Sequence, residues 1–371
     1  LSDVKDQMKL FSMYYNPYPL WVHPRDGMIH PAVRNCGTVT RRPTGSNPNV
    51  LQVKKGETRE MYLPRYDDHI IITADFNGQE LRIAGSEARD PVLIDCYTGR
   101  GFRTDEDGMV HPVVLDVHSV TAVSFAPEIF RSNGISIGKI SYEEFVAIRK
   151  GQGDDQQKAI AELCRKYAKM VNFLIIYVGQ ASTLAMNLGM PVRFCEGLME
   201  TVFRAYPRLA PWQEEVISFG KRYGFVKTAY GNLRHLTSDI RSKSGWERSR
   251  QERQAVNFTV QGTAADILKV VMTGCWETKL YQETGAIPIA PVYDEAVSSV
   301  PRKNAFEYCC RLQNLMNLTP PGHAIPMLAE ISLGNSWGDT IELGDNPSER
   351  KVEETLDLLA KLKGERNAKA A

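Results

Sequence analysis

Asp294 and Glu295 stand side by side in PVYDEAVSSV (residues 291–300), between two short apolar runs that read as strands. Another aspartate, Asp75, ends the β-branched run HIIITAD (residues 69–75). Carboxylates at the ends of separate strands suit hard divalent cations, because Mg2+ takes oxygen ligands and usually keeps substrate phosphates in its shell. A strand-terminal aspartate also serves as an ordinary turn or cap residue. In CRKYAKMVNFLIIYVG (residues 164–179), Arg165, Lys169, Phe173 and Tyr177 recur at i+4 steps and fall along one side of a helix. Two cations followed by two aromatics suit a triphosphate at one end and a sugar and base at the other. An amphipathic helix with snorkelling cations has the same spacing.

The elements that must position these groups follow from local pattern. HIIITAD is continuously apolar, as expected of a strand covered on both faces, and ELRIAGSEA (80–88) is helical in pattern. Residues 36–52 read as an irregular loop with a turn at NPN, and YGN marks the turn of a hairpin within 222–236. The spacing predicts helices over about 158–178 and 248–274, then two short strands, IPIAPV and AVSSV, flanking YDE. The tail carries Val352, Leu356, Leu359 and Leu362 at helical spacing, suited to packing on its own domain or docking a partner, with a disordered tail as the alternative. The opening stretch reads as the end of a helix, suggesting a chain whose upstream part is missing or separate.

The 371 residues are 43% hydrophobic and 24% charged, with a net charge of +1, the composition of an ordinary globular protein with two or three subdomains. No apolar run is long enough to span a bilayer and no basic-then-apolar leader opens the chain, so the reading is intracellular, with no membrane partner. The seven cysteines are scattered without CxxC pairs and read as reduced thiols. Two basic stripes, residues 34–55 and 221–253, could track a phosphate backbone or simply be solvated.

Seven segments, in order, resemble family A DNA polymerases, the group typified by bacterial DNA polymerase I. GTVTRRPTGSNPNVLQ (37–52) looks like the loop that tracks the minor groove, ADFNGQELRIAGSEA (74–88) like the first palm motif, and DVHSVTA (116–122) like a family histidine segment. RKYAKMVNFLIIYVG (165–179) resembles the fingers helix, ERQAVNFTVQGTAADI (252–267) the primer-template helix, VYDE (292–295) the second palm motif and EISLGNSWGD (330–339) the closing strand.

The resemblance implies an α+β right-hand polymerase: a palm of antiparallel sheet with flanking helices, helical fingers, and a thumb largely absent. It implies thumb end or linker at 1–15, palm at 16–120 and 223–345, fingers at 121–222, and a charged tail at 346–371. The implied activity is template-directed addition of dNMP to a primer 3′-hydroxyl with release of pyrophosphate, using two Mg2+ ions, with Mn2+ as a substitute. Asp75, Asp294 and the Phe76 carbonyl are the implied metal ligands, with Glu295 as a supporting carboxylate. Arg165, Lys169 and His118 would grip the triphosphate, Lys169 protonating the departing pyrophosphate. Glu80 corresponds to the steric gate against a ribose 2′-hydroxyl; Phe173 would pack by the sugar and Tyr177 at the templating position. Arg42, Asn49, Arg253, Asn257, Gln261 and Tyr293 would contact primer-template DNA. The implied partners are that DNA, dNTPs, and an upstream segment or separate chain supplying thumb and exonuclease.

The chain departs from the family pattern at several positions. Leu174 and Val178 stand where glycine usually follows the fingers phenylalanine and tyrosine, with Gly179 one place late. Arg41 replaces a glycine of the minor-groove loop, Tyr293 the usual histidine before the catalytic aspartate, and Asn77-Gly78-Gln79 the common Ser-Gln-Ile. The alternatives are a single-subunit RNA polymerase, against which Glu80 argues, and a non-catalytic DNA-binding subunit, against which the intact Asp75, Asp294, Arg165 and Lys169 argue.

Overall fold

His69–Phe76 forms β1, the central strand of a five-stranded antiparallel sheet in the computed structural model, which describes residues 2–370. The others are β2 (Ile287–Val292), β3 (Glu295–Pro301), β4 (Ala329–Gly334) and β5 (Thr340–Gly344), in spatial order β5-β4-β1-β3-β2. Side chains alternate across a strand, so Ile70, Ile72, Ala74 and Phe76 enter one core and Ile71 another. The first core holds Ile267, Val271, Leu312 and Met316; the second holds Tyr14, Tyr18, Val50, Leu51 and Trp337. Burial from both sides explains why HIIITAD lacks polar alternation. Antiparallel register sets Asp75 opposite Glu295 on β3 and opposite Glu330 on β4.

The helices that matter for the site are α1 (Gln79–Ala88), α2 (Val117–Val123), α3 (Asp155–Ile176), α4 (Gly245–Asn257), α5 (Thr263–Glu277), α6 (Ala305–Met316) and α7 (Glu349–Ala370). A capping box starts α3: Asp154 accepts from the Gln157 N–H, and the Gln157 side chain returns to the Asp154 N–H. Its buried face, Cys164, Ala168, Val171 and Ile175, belongs to the first core. The expected stripe is corrected at its end, because α3 stops at Ile176 and Tyr177 is its C-cap. Val178 then turns left-handed at φ 52°, and the chain passes so close to Leu174 that a Cβ on Gly179 would lie 2.3 Å from Leu174 Cδ1. Any side chain at 179 would therefore have to displace Leu174, while Val178 stores strain on the order of 1–3 kcal/mol.

The single helix expected over 248–274 is a longer rod, α4 and α5, joined by a π-helical turn at Phe258–Gly262. One extra residue per turn rotates the side chains on either side, an irregularity frequent at functional sites. The expected hairpin is present, Phe225–Lys227 pairing with Leu233–His235 around Gly231 at φ 81°. The loop at 36–52 contains a short strand, Thr44–Ser46, paired with Ala32–Arg34. None of the seven cysteines is bonded to another, and no described helix is long and apolar enough to cross a membrane.

The tail folds back as α7, with Val352 and Leu359 fully buried against the first core. Leu359→Ala should therefore lose about 2–5 kcal/mol of unfolding free energy. The adjacent Leu358, 47% exposed, should lose no more than about 0.5 kcal/mol as Leu358→Ala. Urea denaturation of the two variants checks the difference.

Candidate active site

Asp75 sits where the sheet ends, flanked in register by two glutamates. Asp294 follows Tyr293 in the tight turn between β2 and β3, Tyr293 taking φ 60°, and the Asp294 carbonyl accepts the Phe76 N–H at 3.3 Å. That bond ties the turn to the end of β1 and brings both aspartates to one edge. Glu295 is held elsewhere: Arg59 Nη1 donates to its Oε2 at 2.9 Å and Trp337 Nε1 to its Oε1 at 2.8 Å, with the guanidinium stacked 4.0 Å from the indole. Glu330 accepts from the Asn77 amide. Asp75 Oδ1, by contrast, is buried with no hydrogen-bond partner.

Burial, then the neighbouring Asp294 and Glu295 charges, push the Asp75 carboxyl up to about 7. Burial also raises Asp294, with Glu80 and Glu295 adding to the shift and the Asp294 backbone N–H and Arg42 opposing it. Two carboxyls driven toward protonation, one with an orphaned oxygen, form an all-oxygen donor set that a hard divalent cation would fit.

The second cluster lies on α2 and α3. Asp116, the N-cap of α2, takes Arg165 through two bonds, Nε at 2.6 Å and Nη2 at 3.2 Å, and also accepts from Arg149 Nη1 at 3.2 Å. His118 Nδ1 meets the Asn172 amide at 3.1 Å, and its ring lies 6.0 Å from that of Phe173. Burial, helped by the Arg165 and Lys169 charges against Asp116, lowers His118 to about 4, so its imidazole is neutral at pH 7. Lys169 projects into solvent from the same face. Arg165, Lys169, His118 and Phe173 thus lie together, though Arg165 is engaged by a carboxylate.

A third cluster joins the two. Arg42 Nη2 donates to Glu80 Oε1 at 2.6 Å and its guanidinium lies 5.6 Å from the Tyr293 ring centroid. The Tyr177 hydroxyl is buried beside Glu80 and Gln261 without a hydrogen bond of ordinary geometry, and burial with the Glu80 charge raises its pKa. Asn257 Oδ1 is likewise buried and unpartnered, while Arg253 Nη1 donates to Ser249 Oγ. Asn49 is used by its own loop: its Oδ1 accepts from the Leu51 N–H and its Nδ2 donates to Gln52.

Sequence reasoning missed Glu330, Arg59, Trp337, Asp116, Arg149 and Asn172. Four of them, Glu330, Trp337, Asp116 and Asn172, lie inside segments already singled out for other residues; helix phase could have exposed Asn172 and cap chemistry Asp116, whereas Glu330 and Trp337 find their partners only through tertiary geometry. Arg59 and Arg149 lie in unremarkable polar stretches and carry no such signal.

The family model described as DNA polymerase family A matches residues 1–130 and 150–339. The chain belongs to DNA polymerase family A. It is 26% identical over 340 residues to the thermostable DNA polymerase I of Thermus aquaticus, covering 90% of this chain and 35% of that protein. It is 29% identical over 348 residues to DNA polymerase I of Pseudomonas aeruginosa, covering 91% of this chain and 33% of that one. Its fold is that of the POL domain of Pol1 from M. smegmatis, solved in complex with DNA primer-template and dNTP: TM-score 0.71 at 21% identity, covering 90% of this chain and 52% of that one. The chain thus spans about a third of the length of these curated relatives. The stretch between the two matched blocks, residues 131–149, is what delivers Arg149 to Asp116.

The raised Asp75 pKa has a stability consequence. The folded state holds this proton more tightly than the unfolded chain, so the contribution is full below the ordinary carboxylate pKa near 3.8 and is lost as pH rises through about 7. Asp75→Asn, which cannot ionise, should therefore be more stable than the parent at pH 8, by on the order of 1–3 kcal/mol, with little difference at pH 4. Paired thermal melts without divalent cation check the sign.

Proposed function

We propose that this chain carries out template-directed DNA synthesis, joining the primer 3′-oxygen to the α-phosphorus of a dNTP as the bond to pyrophosphate breaks. The observation that carries this reading is the convergence of two carboxylates at adjacent strand ends, Asp75 with a buried oxygen left unpartnered, in a chain of this family. Family A polymerases are metal-dependent. Asp75, Asp294 and the Phe76 carbonyl would hold the divalent cations, Mg2+ or Mn2+ in its place, which when bound acidify the primer hydroxyl and neutralise charge on the phosphates.

The remaining chemistry belongs to the side chains. Glu295, clamped by Arg59 and Trp337, supports the site without being free to ligate. Arg165 and Lys169 bind the triphosphate, with Arg165 exchanging some of its bond to Asp116 for phosphate oxygens, and Lys169 gives a proton to the departing pyrophosphate. His118, neutral at pH 7, acts as a hydrogen-bond donor rather than a cation. Glu80, fixed by Arg42, occupies the space a 2′-hydroxyl would need; Phe173 packs by the sugar and Tyr177 at the templating base. Arg42, Asn49, Arg253, Asn257, Gln261 and Tyr293 contact primer and template through phosphates and minor-groove acceptors, which read shape rather than sequence.

The palm comprises residues 16–120 and 223–345, the fingers 121–222, and the segments 1–15 and 346–371 flank them. Primer-template DNA and dNTPs are the partners, with an upstream segment or separate chain supplying thumb and exonuclease. The place of action is intracellular.

Primer extension in Mg2+ tests the reading. Asp75→Ala and Asp294→Ala should each lower single-nucleotide addition by roughly a hundred- to a thousandfold, the scale on which one electrostatic stabiliser acts, and Glu295→Gln by about tenfold or less. Glu80→Ala should reduce discrimination against rNTPs by about tenfold, or ~1.4 kcal/mol. Equal use of rNTPs by the parent chain would favour an RNA polymerase. No addition at all, with thumb supplied in trans, would favour a DNA-binding subunit.

A further inference from the structure

We propose that His23, Asp26 and His30 form a site for one divalent transition metal of the zinc class, separate from the palm carboxylates and independent of the polymerase reading. The three side chains come from one short segment, HPRDGMIH (residues 23–30), with spacing H-x2-D-x3-H. Their candidate ligand atoms all lie within 4.8 Å of one another. The Asp26 carboxylate is central: Oδ2 is 2.9 Å from His30 Nε2, and Oδ1 is 3.7 Å from His23 Nδ1. A tetrahedron with metal–ligand bonds of about 2.0–2.1 Å has edges of roughly 3.3 Å, so small side-chain rotations bring the three atoms onto one ion.

The backbone holds this arrangement before any ion arrives. Val22 and Ile29 form an antiparallel bridge, the His23 N–H donates to the Met28 carbonyl at 2.7 Å, and Gly27 supplies the left-handed turn at φ 68°. The Met28 N–H donates to Asp26 Oδ1 at 3.0 Å, which orients the carboxylate and, as the first cause, keeps its pKa below the usual range. Ligand and orienting bond thus follow the pattern of a metal-bound carboxylate with an outer hydrogen-bond partner. His23 Nδ1 accepts the Arg25 N–H in a long bond of 3.4 Å that an ion would replace, and the His23 ring stands 5.7 Å from that of His30, so both imidazoles gather about one carboxylate. Because one eight-residue loop provides all three ligands, closing the site costs little chain entropy.

Two imidazoles and one carboxylate select Zn2+, Co2+ or Ni2+ over Mg2+, which demands oxygen and a near-octahedral shell. The site would leave one position for water. Its physical effect is local: Gly27, Met28, Ile29 and His30 form part of the wall of a cavity of about 500 Å³ that runs beneath the loop to Ile287–Ala290 and Trp337, and a bound ion would fix that wall.

The test is a Co2+ titration of the chelator-treated chain in excess Mg2+, read by visible d–d absorption, with the Cys36→Ser variant as background because Cys36 is the exposed thiol. The expected result is one equivalent bound with four- or five-coordinate bands and no thiolate charge-transfer band, unchanged by Cys36→Ser. His23→Ala, His30→Ala and Asp26→Asn should each weaken binding by about tenfold or more. Histidine-ring NMR of the unmodified chain provides a reading that needs no variant: Zn2+ should shift two of the seven histidines, His23 and His30. Absence of the bands, affinity indifferent to His23 and His30, or Zn2+ shifts spread over other histidines would overturn the proposal.

Discussion

Like charge held in a confined place is the constraint on which the structure turns. Asp75 is fixed between Glu295 and Glu330 by strand register, and Asp294 is drawn to the same edge by a backbone bond to Phe76. None of these positions can be relaxed without breaking the sheet. The protein manages the repulsion unequally: Arg59 and Trp337 satisfy Glu295, Asn77 satisfies Glu330, and the two aspartates are left raised in pKa by burial and by neighbouring carboxylates. A divalent cation held there would offset the charge that the folded chain leaves uncompensated.

The same economy recurs in the helical layer. Asp116 gathers Arg165 and Arg149 and is further bound by Ser119, so Arg165 is already oriented by an internal carboxylate. Arg42 bridges Glu80 and the face of Tyr293, linking α1 to the tight turn that carries Asp294. The rod of α4 and α5 brings Gln261 beside Tyr177 through its π turn.

Much of this was legible in the sequence because the signals are local. The β-branched run of β1, the turn at Tyr293–Asp294 and the i+4 stripe of α3 follow from period and turn chemistry alone, and Val352 and Leu359 of α7 from helical spacing. What was not legible depends on tertiary geometry. No periodicity reveals that Glu330 sits opposite Asp75 or that Arg59 reaches Glu295 across 236 positions. Two departures from the family's glycines are instructive: Arg41 at φ 64° and Val178 at φ 52° keep the left-handed backbone that glycine would supply without strain. Arg41 is held there by Asp266 and by Lys269 on its carbonyl, so contacts enforce what the residue itself disfavours.

The most direct measurement is the Mg2+-induced shift in unfolding temperature at pH 8. If the two aspartates are an incomplete site, Mg2+ should raise the melting temperature saturably in the parent and in Glu295→Gln, and should leave Asp75→Asn and Asp294→Asn unmoved. A shift of the same size in either aspartate variant, or none in the parent, would contradict the account.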